Sequence, residues 1–388
     1  MAVFPQSMVL PAYGRGSVSD VLGSVCAHLG VRGADDVLGL PDGDRWVVLL
    51  VDGLGDDVLT AAAQTAPFLS GLQASGRVIT AGTPSTTVTS ITSFGTGLPP
   101  GQHGMAGYSF RIHGAGAGRG RGHREQVLNA LLWDTPTPAA ELQPRATWFE
   151  RANADGVDAS SVSLARFAGS GLTESALRNA RFIGIQDESD TERWIATIVS
   201  AATGAERTLV YAYERALDHI GHTAGADSPD WLRVLAAIDA RAAQLRAALP
   251  DDVHLLITAD HGMLDVPGRN FLIIEHEPSL SADVRCFAGE GRLRHFYTEH
   301  AHAVAARWAD RLGDHAWVRT RDDAIDEGWF GVMDDRVRDR FGDVLVAMRT
   351  DWAVMTTTQP FELDLVGMHG SLTSVEMNVP LLLARAGA

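Results

Sequence analysis

Four segments of the chain carry side chains that bind hard or borderline metal ions, each close to an apolar run. In VVLLVDGLGDD, Asp52 closes the run before a glycine. In ERALDHIGHTAG, Asp218 and His222 are four residues apart, shortly after TLVYAY. LLITADHGM places Asp260 beside His261, and GMHGS places His369 near the C-terminus. Singly, most of these have an ordinary role. Asp52 can cap a following helix, Asp218 and His222 can form a solvated pair on a helix face, and His369 can be surface or core. An adjacent Asp–His after a buried strand is harder to place, because a charged pair there must find partners. Three Asp and three His at strand ends together point to a metal site.

A fifth segment, TPSTTVTSITSFGTGLPPGQHG at 83–104, supplies hydroxyl groups. Some serve a turn and a helix that carries Val88, Ile91 and Phe94 inward. A hydroxyl at a helix N-terminus also meets free N–H groups and the positive end of the helix dipole, which suit a phosphoryl oxyanion. Threonine is a poor nucleophile until deprotonated, and metal coordination achieves that without a neighbouring base.

An α/β framework must bring these segments together. Residues 46–51, 208–213 and 253–258 are almost continuously apolar, as strands buried on both faces are. Helical patterns fall near 56–74, 189–203 and 228–248. In the last, Trp231, Val234, Leu235, Ile238, Ala242 and Leu245 recur at helical spacing after a Ser228-Pro229 start. The alternation predicts a mainly parallel sheet, whose strand carboxyl ends collect the site. Two regions break the rhythm. Residues 103–145 form an excursion whose glycine-rich run GAGAGRGRGH (114–123) reads as a mobile loop or hairpin tip, and it lacks G-x-G-x-x-G spacing. Residues 268–350 read as an inserted cap, leaving 1–267 and 351–388 as the core.

Composition narrows the chemistry. The chain has 388 residues, 32 basic against 48 acidic side chains, and a net charge of -16. Every basic residue is Arg; the absence of Lys excludes a P-loop NTPase, a protein kinase and a pyridoxal-phosphate enzyme. The acidic balance argues against a nucleic-acid polymer as partner, although metal ions or local Arg can still make a pocket for a small anion. Cys26 and Cys286 lack metal-type spacing and read as free thiols. The N-terminus lacks a signal-peptide pattern and no apolar run reaches bilayer length, so a cytoplasmic enzyme with no membrane insertion is the expectation.

Taken in order, the five segments resemble the alkaline phosphatase superfamily, most closely its type I phosphodiesterase/nucleotide pyrophosphatase branch. The resemblance runs from about Pro11 to Leu383 through VDG, P-S-x-T, TGLPPGQHG, D-x-x-G-H, DHGM and a late HG. It implies a three-layer α/β/α sandwich with a mainly parallel sheet and a small inserted cap. It implies two divalent ions, zinc first, with manganese or iron as alternatives. Pro84-Ser85-Thr86-Thr87 puts the nucleophile on Thr87. Asp52, Asp260, His261 and the Thr87 oxygen would hold one ion; Asp218, His222 and His369 would hold the other. His219 matches no ligand position. The family commonly follows its nucleophile with Phe-Pro-Asn-His; here Val88-Thr89-Ser90-Ile91 stands there, so Ser90 takes the place of an Asn that steadies a phosphate oxygen.

The implied activity is hydrolysis of a small phosphodiester or nucleotide pyrophosphate through a phospho-threonine intermediate. A phosphomonoesterase of the same superfamily is the alternative, with Arg111, Arg119, Arg121 or Arg124 as further cationic contacts. A metal-binding interaction module that has lost catalysis is the non-enzyme alternative. Sulfatases need a C/S-x-P-x-R context that neither cysteine has, and the Lys-dependent relatives of the superfamily are excluded. Tyr108, Phe110 and Trp133 follow the nucleophile helix and are candidates to stack a base, though packing is the commoner use of such residues.

Overall fold

The computed structural model of the chain describes residues 6–112 and 126–385. The glycine-rich run at 114–123 and Arg119, Arg121 and Arg124 lie outside the described residues. A seven-stranded sheet forms the centre. Its strands are β1 (Arg45–Val51), β2 (Arg77–Thr80), β3 (Asp158–Leu164), β4 (Arg181–Ile185), β5 (Thr208–Glu214), β6 (Val253–Thr258) and β7 (Asn378–Ala384). The spatial order is β2-β7-β6-β1-β5-β3-β4. β1 pairs in parallel with β5 and β6, and β3 in parallel with β4 and β5, whereas β7 runs antiparallel to β2 and β6. The sheet is thus mainly parallel. The central strands are buried along most of their length because helices cover both faces of a sheet built this way.

The expected strands extend by a residue at most from the observed ones, and the third agrees at both ends. The expected helix 228–248 is Pro229–Ala248, with Pro at its start and Ser228 accepting the Trp231 N–H. The helical pattern at 56–74 is instead two short helices, Asp56–Ala61 and Pro67–Gln73. Pro67 is the cause: it lacks an N–H and fits only the first turn, so one helix ends and another begins there.

A second sheet of four antiparallel strands is built from Val284–Glu290, Leu293–Thr298, Val344–Met348 and Ala316–Thr320. Two buried ion pairs tie it to the C-terminal part of the chain. Arg292 meets Glu376 at 2.7 Å with both side chains fully buried, and Arg294 meets Glu362. A short antiparallel hairpin, Ser109–Ile112 with Gln126–Asn129, packs beside the first strand of this sheet through Ser109, whose hydroxyl bonds the Gly289 backbone. No helix of the described residues is long and apolar enough to cross a membrane.

Candidate functional site

The site forms where β1, β5 and β6 end. Asp52 follows β1, and its N–H donates to the Glu214 carbonyl at the end of β5, which fixes its register. The chain must then turn sharply. Gly53 takes φ 75°, and a Cβ there would lie 3.1 Å from the Asp218 Cβ, so only glycine lets the two acidic segments approach. The Gly53 N–H donates to Asp260 Oδ1 at 3.2 Å, joining the end of β1 to the end of β6. Asp218 and His222 lie on α1 (Ala216–Ala224), where i, i+4 spacing puts both on one face. Thr87 opens α2 (Thr87–Thr96), with Thr86 as its N-cap residue in extended conformation.

The loop before Thr87 is anchored to the loop that carries His369. The Ser85 N–H donates to the Gly370 carbonyl, the Ser85 hydroxyl donates to the Ser371 carbonyl at 2.6 Å, and His369 Nδ1 donates back to the Ser85 carbonyl at 3.0 Å. The three histidines share one device. His261 Nδ1 faces the Gly262 carbonyl at 3.0 Å, His222 Nδ1 the Gly367 carbonyl at 2.8 Å, and His369 Nδ1 the Ser85 carbonyl. A carbonyl opposite requires the proton on Nδ1, which turns each Nε2 away from it toward the Asp side chains, as metal-ligating histidines are held.

Those inward atoms cluster. Asp52, Asp260 and His261 offer ligand atoms within 4.8 Å of one another, and so do Asp218, His261 and His369. His261 Nε2 is the shared point, 3.2 Å from Thr87 Oγ1, 3.4 Å from Asp52 Oδ1 and 3.5 Å from Asp260 Oδ2. Its ring stacks on His369 at 3.7 Å between centroids. Asp218 bridges the remaining two, 3.3 Å from His222 Nε2 and 3.7 Å from His369 Nε2. His222 therefore reaches the cluster through Asp218 and joins neither three-residue group.

Charge in this cluster is unbalanced. Asp52 Oδ1, Asp218 Oδ1 and Asp260 Oδ2 are buried with no hydrogen-bond partner. Burial, then the charges of Asp218 and Asp260, push the Asp52 carboxyl well above the usual carboxylate range. Burial also raises Asp260. At Asp218 burial pushes upward too, but the charge and hydrogen bond of His222 win and hold it low. His222 is correspondingly pushed up to about 9 by Asp218 against its own burial, while burial and His261 drive His369 well below its ordinary value. Buried, orphaned carboxylate oxygens next to inward Nε2 atoms make a donor set of oxygen and nitrogen that suits divalent cations such as zinc.

Beside the cluster opens a cavity of about 260 Å³ whose lining includes Asp52, Thr87 and Asp218. Its far walls are apolar and aromatic, with Ile91, Leu172, Phe167, Phe182, Tyr211 and Tyr213 among them. Tyr213 also donates its hydroxyl to Asp52 Oδ2. A larger recess of about 590 Å³, between the hairpin and strand Val284–Glu290, contains none of these ligands.

The other sequence candidates lie elsewhere. Ser90 is fully buried, and its Oγ accepts the Gly82 N–H at 3.2 Å; it does not line the cavity. The Tyr108 hydroxyl accepts from Asn129 Nδ2, and its ring leans on Phe361 at 6.2 Å. Trp133 donates Nε1–H to the Thr137 carbonyl at 3.0 Å and covers Gly171 so closely that a Cβ there would overlap its ring. Phe110 is core. Arg111 donates to the Asp339 carbonyl and lies over the Tyr297 ring. Neither Cys26 nor Cys286 is in a disulfide; the first is buried and the second partly so.

Two residues at the site escaped the sequence reading. Glu290, at the end of the first strand of the four-stranded sheet, reaches Thr86 Oγ1 at 3.4 Å and His369 Nδ1 at 3.8 Å, with Oε1 buried and unpartnered. Burial pushes its carboxyl up to about 8. Gly370, at φ 129°, is what admits it, because a Cβ there would sit 3.0 Å from Glu290 Cγ. Nothing in GEGR marks that glutamate in sequence. Tyr213 was visible only as part of a buried strand.

A mainly parallel α/β sheet with its acidic and imidazole ligands at the strand ends has the layout of the alkaline phosphatase superfamily. Solved structures bear this out at the level of fold. Murine ectonucleotide pyrophosphatase/phosphodiesterase 5, in an inactive form bound to AMP, superposes with a TM-score of 0.68 at 16% identity, covering 87% of each chain. A second structure of the same murine protein gives 0.67 and the human one 0.66, at the same identity and coverage. Residues 46–372 match the family model described as type I phosphodiesterase/nucleotide pyrophosphatase, and the chain belongs to that family. A comparison with curated proteins returns no match.

Proposed function

We propose that this protein hydrolyses phosphate diesters or nucleotide pyrophosphates, with Thr87 as nucleophile and two divalent ions held by the Asp/His cluster. The observation that carries this is Thr87 Oγ1 at 3.2 Å from the inward-facing His261 Nε2, at the mouth of a cavity with aromatic walls. Asp52, Asp260 and His261 would hold one ion with the Thr87 oxygen; Asp218 and His369, with His222 behind them, would hold the other. The ions, zinc in the first instance, supply Lewis-acid stabilisation of the phosphoryl oxygens and lower the pKa of the hydroxyl groups they bind.

The chain's own groups do the rest. The N-terminus of α2 presents Thr87 with backbone N–H groups and a positive dipole end toward the phosphoryl oxygens. Thr87 Oγ1 gives up its proton and attacks phosphorus, the bond to the leaving oxygen breaks, and the leaving group takes up a proton and departs from the phospho-Thr87 ester; water then attacks that ester, its oxygen staying on the departing phosphate and one of its protons returning to Thr87 Oγ1. The aromatic wall suits the flat face of a nucleobase, and the AMP held by the murine relative supports that class of ligand. A chiral thiophosphate diester tests the covalent step: two displacements give net retention at phosphorus, and net inversion excludes the intermediate. Zinc-loaded protein assayed on bis(p-nitrophenyl) phosphate and p-nitrophenyl phosphate should prefer the diester. A preference for the monoester would establish the phosphomonoesterase reading. Two bound ions with no hydrolysis of any ester would establish the interaction module.

A further inference from the structure

We infer that Arg215 is a specificity-determining residue that reads a second anionic group, a phosphate or carboxylate, on the substrate held in the cavity beside Thr87. This rests on the diesterase reading and adds to it a chemical requirement on the substrate. Among the described residues lining that cavity, Arg215 is the one guanidinium, and it shares the cavity with Thr87, Asp52 and Asp218. It sits at the N-cap of α1, three residues before Asp218, so the backbone that places a metal-type ligand also fixes the root of this side chain. His219 lies one turn further on, its N–H bonded to the Arg215 carbonyl, and lines the same wall at the exposed edge. The cavity therefore has two unlike faces. One is apolar and aromatic, through Ile91, Phe167, Leu172 and Phe182; the other is α1, where the Arg215 cation stands with the Asp218 carboxylate and the exposed His219.

The guanidinium is only partly engaged. One nitrogen, Nη2, meets Glu188 Oε1 at 3.1 Å, while Nε is buried with no acceptor in the protein. A buried charged donor without an acceptor is costly, and a guanidinium gains most from oxygens of phosphate or carboxylate, which match its planar fork. A diester with no anion beyond its reacting phosphate makes no such use of the guanidinium. A substrate with a base or other apolar group on one side and an additional anion on the other matches both faces.

The test compares kcat/KM on three zinc-dependent reactions: p-nitrophenyl thymidine 5′-phosphate, the same ester carrying a 3′-phosphate, and ATP. The first has no second anion, the second has it on the sugar, and the third has it on the leaving pyrophosphate. Arg215→Ala should lower kcat/KM on one of the charged substrates by about 10- to 100-fold more than on the first; which one identifies the anion's position. Arg215→Lys, which keeps the charge without the fork, should fall between. Glu188→Gln should leave intact the ratio of kcat/KM between the substrates with and without a second anion. An equal loss on all three substrates, or the same loss in Glu188→Gln, overturns the assignment and makes Arg215 half of a structural ion pair. If the wild type turns over none of the three, the diesterase reading fails by itself. Calorimetric binding of adenosine, AMP, ADP and adenosine 3′,5′-bisphosphate to wild type and Arg215→Ala then decides Arg215, with selective loss of the bisphosphorylated ligands supporting it and uniform affinity overturning it.

Discussion

Thr87 Oγ1 lies 3.2 Å from Nε2 of His261, although the two residues are 174 positions apart in the chain. The contact spans the N-terminus of a helix and the loop after a buried strand. It places the hydroxyl group at the one imidazole that belongs to both acidic groups. His261 cannot rotate to release it, because Nδ1 is held by the Gly262 carbonyl and the side chain is fully buried.

Removing that hydroxyl should separate chemistry from metal binding. Thr87→Ala is expected to lower diesterase kcat by a factor of ~10³ or more, while the remaining carboxylates and imidazoles keep both ions. Turnover and metal content measured on the same preparation check it. Near-normal turnover would move the nucleophile to Thr86 or eliminate it.

Metal should stabilise the fold strongly, since three buried carboxylate oxygens lack partners in its absence. With zinc at a hundredfold excess over its dissociation constant, about 2.7 kcal/mol is gained per site, a rise in Tm of roughly 3 °C per site for a chain of this length. Asp260→Asn removes one of three crowded negative charges. The metal-free variant should therefore melt no lower than metal-free wild type, yet gain less from zinc. Scanning calorimetry with and without chelator reads both effects, and a zinc-independent Tm in the wild type would count against the site.

The buried Arg292–Glu376 pair joins the four-stranded sheet to the segment just after His369. Arg292 also donates to the Met348 and Trp352 carbonyls. Arg292→Met alone leaves a buried carboxylate and should cost about 3–5 kcal/mol, whereas Arg292→Met with Glu376→Leu should recover much of that. Urea denaturation of the single and double variants measures it. Equal stability in the two would mean that Glu376 is satisfied by Ser371 and Thr373 alone.

Acid should destabilise the protein through its buried histidines. His103 accepts the Met105 N–H at Nδ1 and donates to Ser93 Oγ at Nε2, and burial, reinforced by Arg340 and Arg336, holds its pKa down to about 3. His295 is likewise held to about 3 by burial. The unfolded chain takes up these protons below pH ~6.5 while the folded chain does not. Stability is therefore full above that pH and falls as pH drops toward 3, by about 1.4 kcal/mol per pH unit for each histidine. His103→Asn should be less stable at neutral pH and show a shallower loss between pH 6 and 4 in denaturant titrations. An unchanged slope would mean that His103 is protonated in the fold.

The metal-type ligands were legible because their types are rare at strand ends and costly to bury without partners. Asp52, Asp218, Asp260, His261 and His369 announce themselves in that way. The strands were legible for a related reason: 46–51, 208–213 and 253–258 are almost continuously apolar, as strands of a sheet covered on both faces are. Ser90, Tyr108 and Trp133 were legible as residue types but not as contacts. Ser90 turns to the Gly82 amide, Tyr108 to Asn129, and Trp133 to Gly171 and Thr137.

By itself, then, the sequence determined the family, the sheet and the residues able to hold metal, because composition and periodicity record what a buried strand and a buried charge demand. The tertiary structure alone decided that His261 stands between the two acidic groups, that His222 meets Asp218, and that Glu290 and Arg215 lie beside them. Those are relations between side chains from distant segments, and Glu290 and Arg215 are types that ordinarily sit in water. Only the packing of a four-stranded sheet against Gly370, and of α1 against the end of β5, takes them out of it.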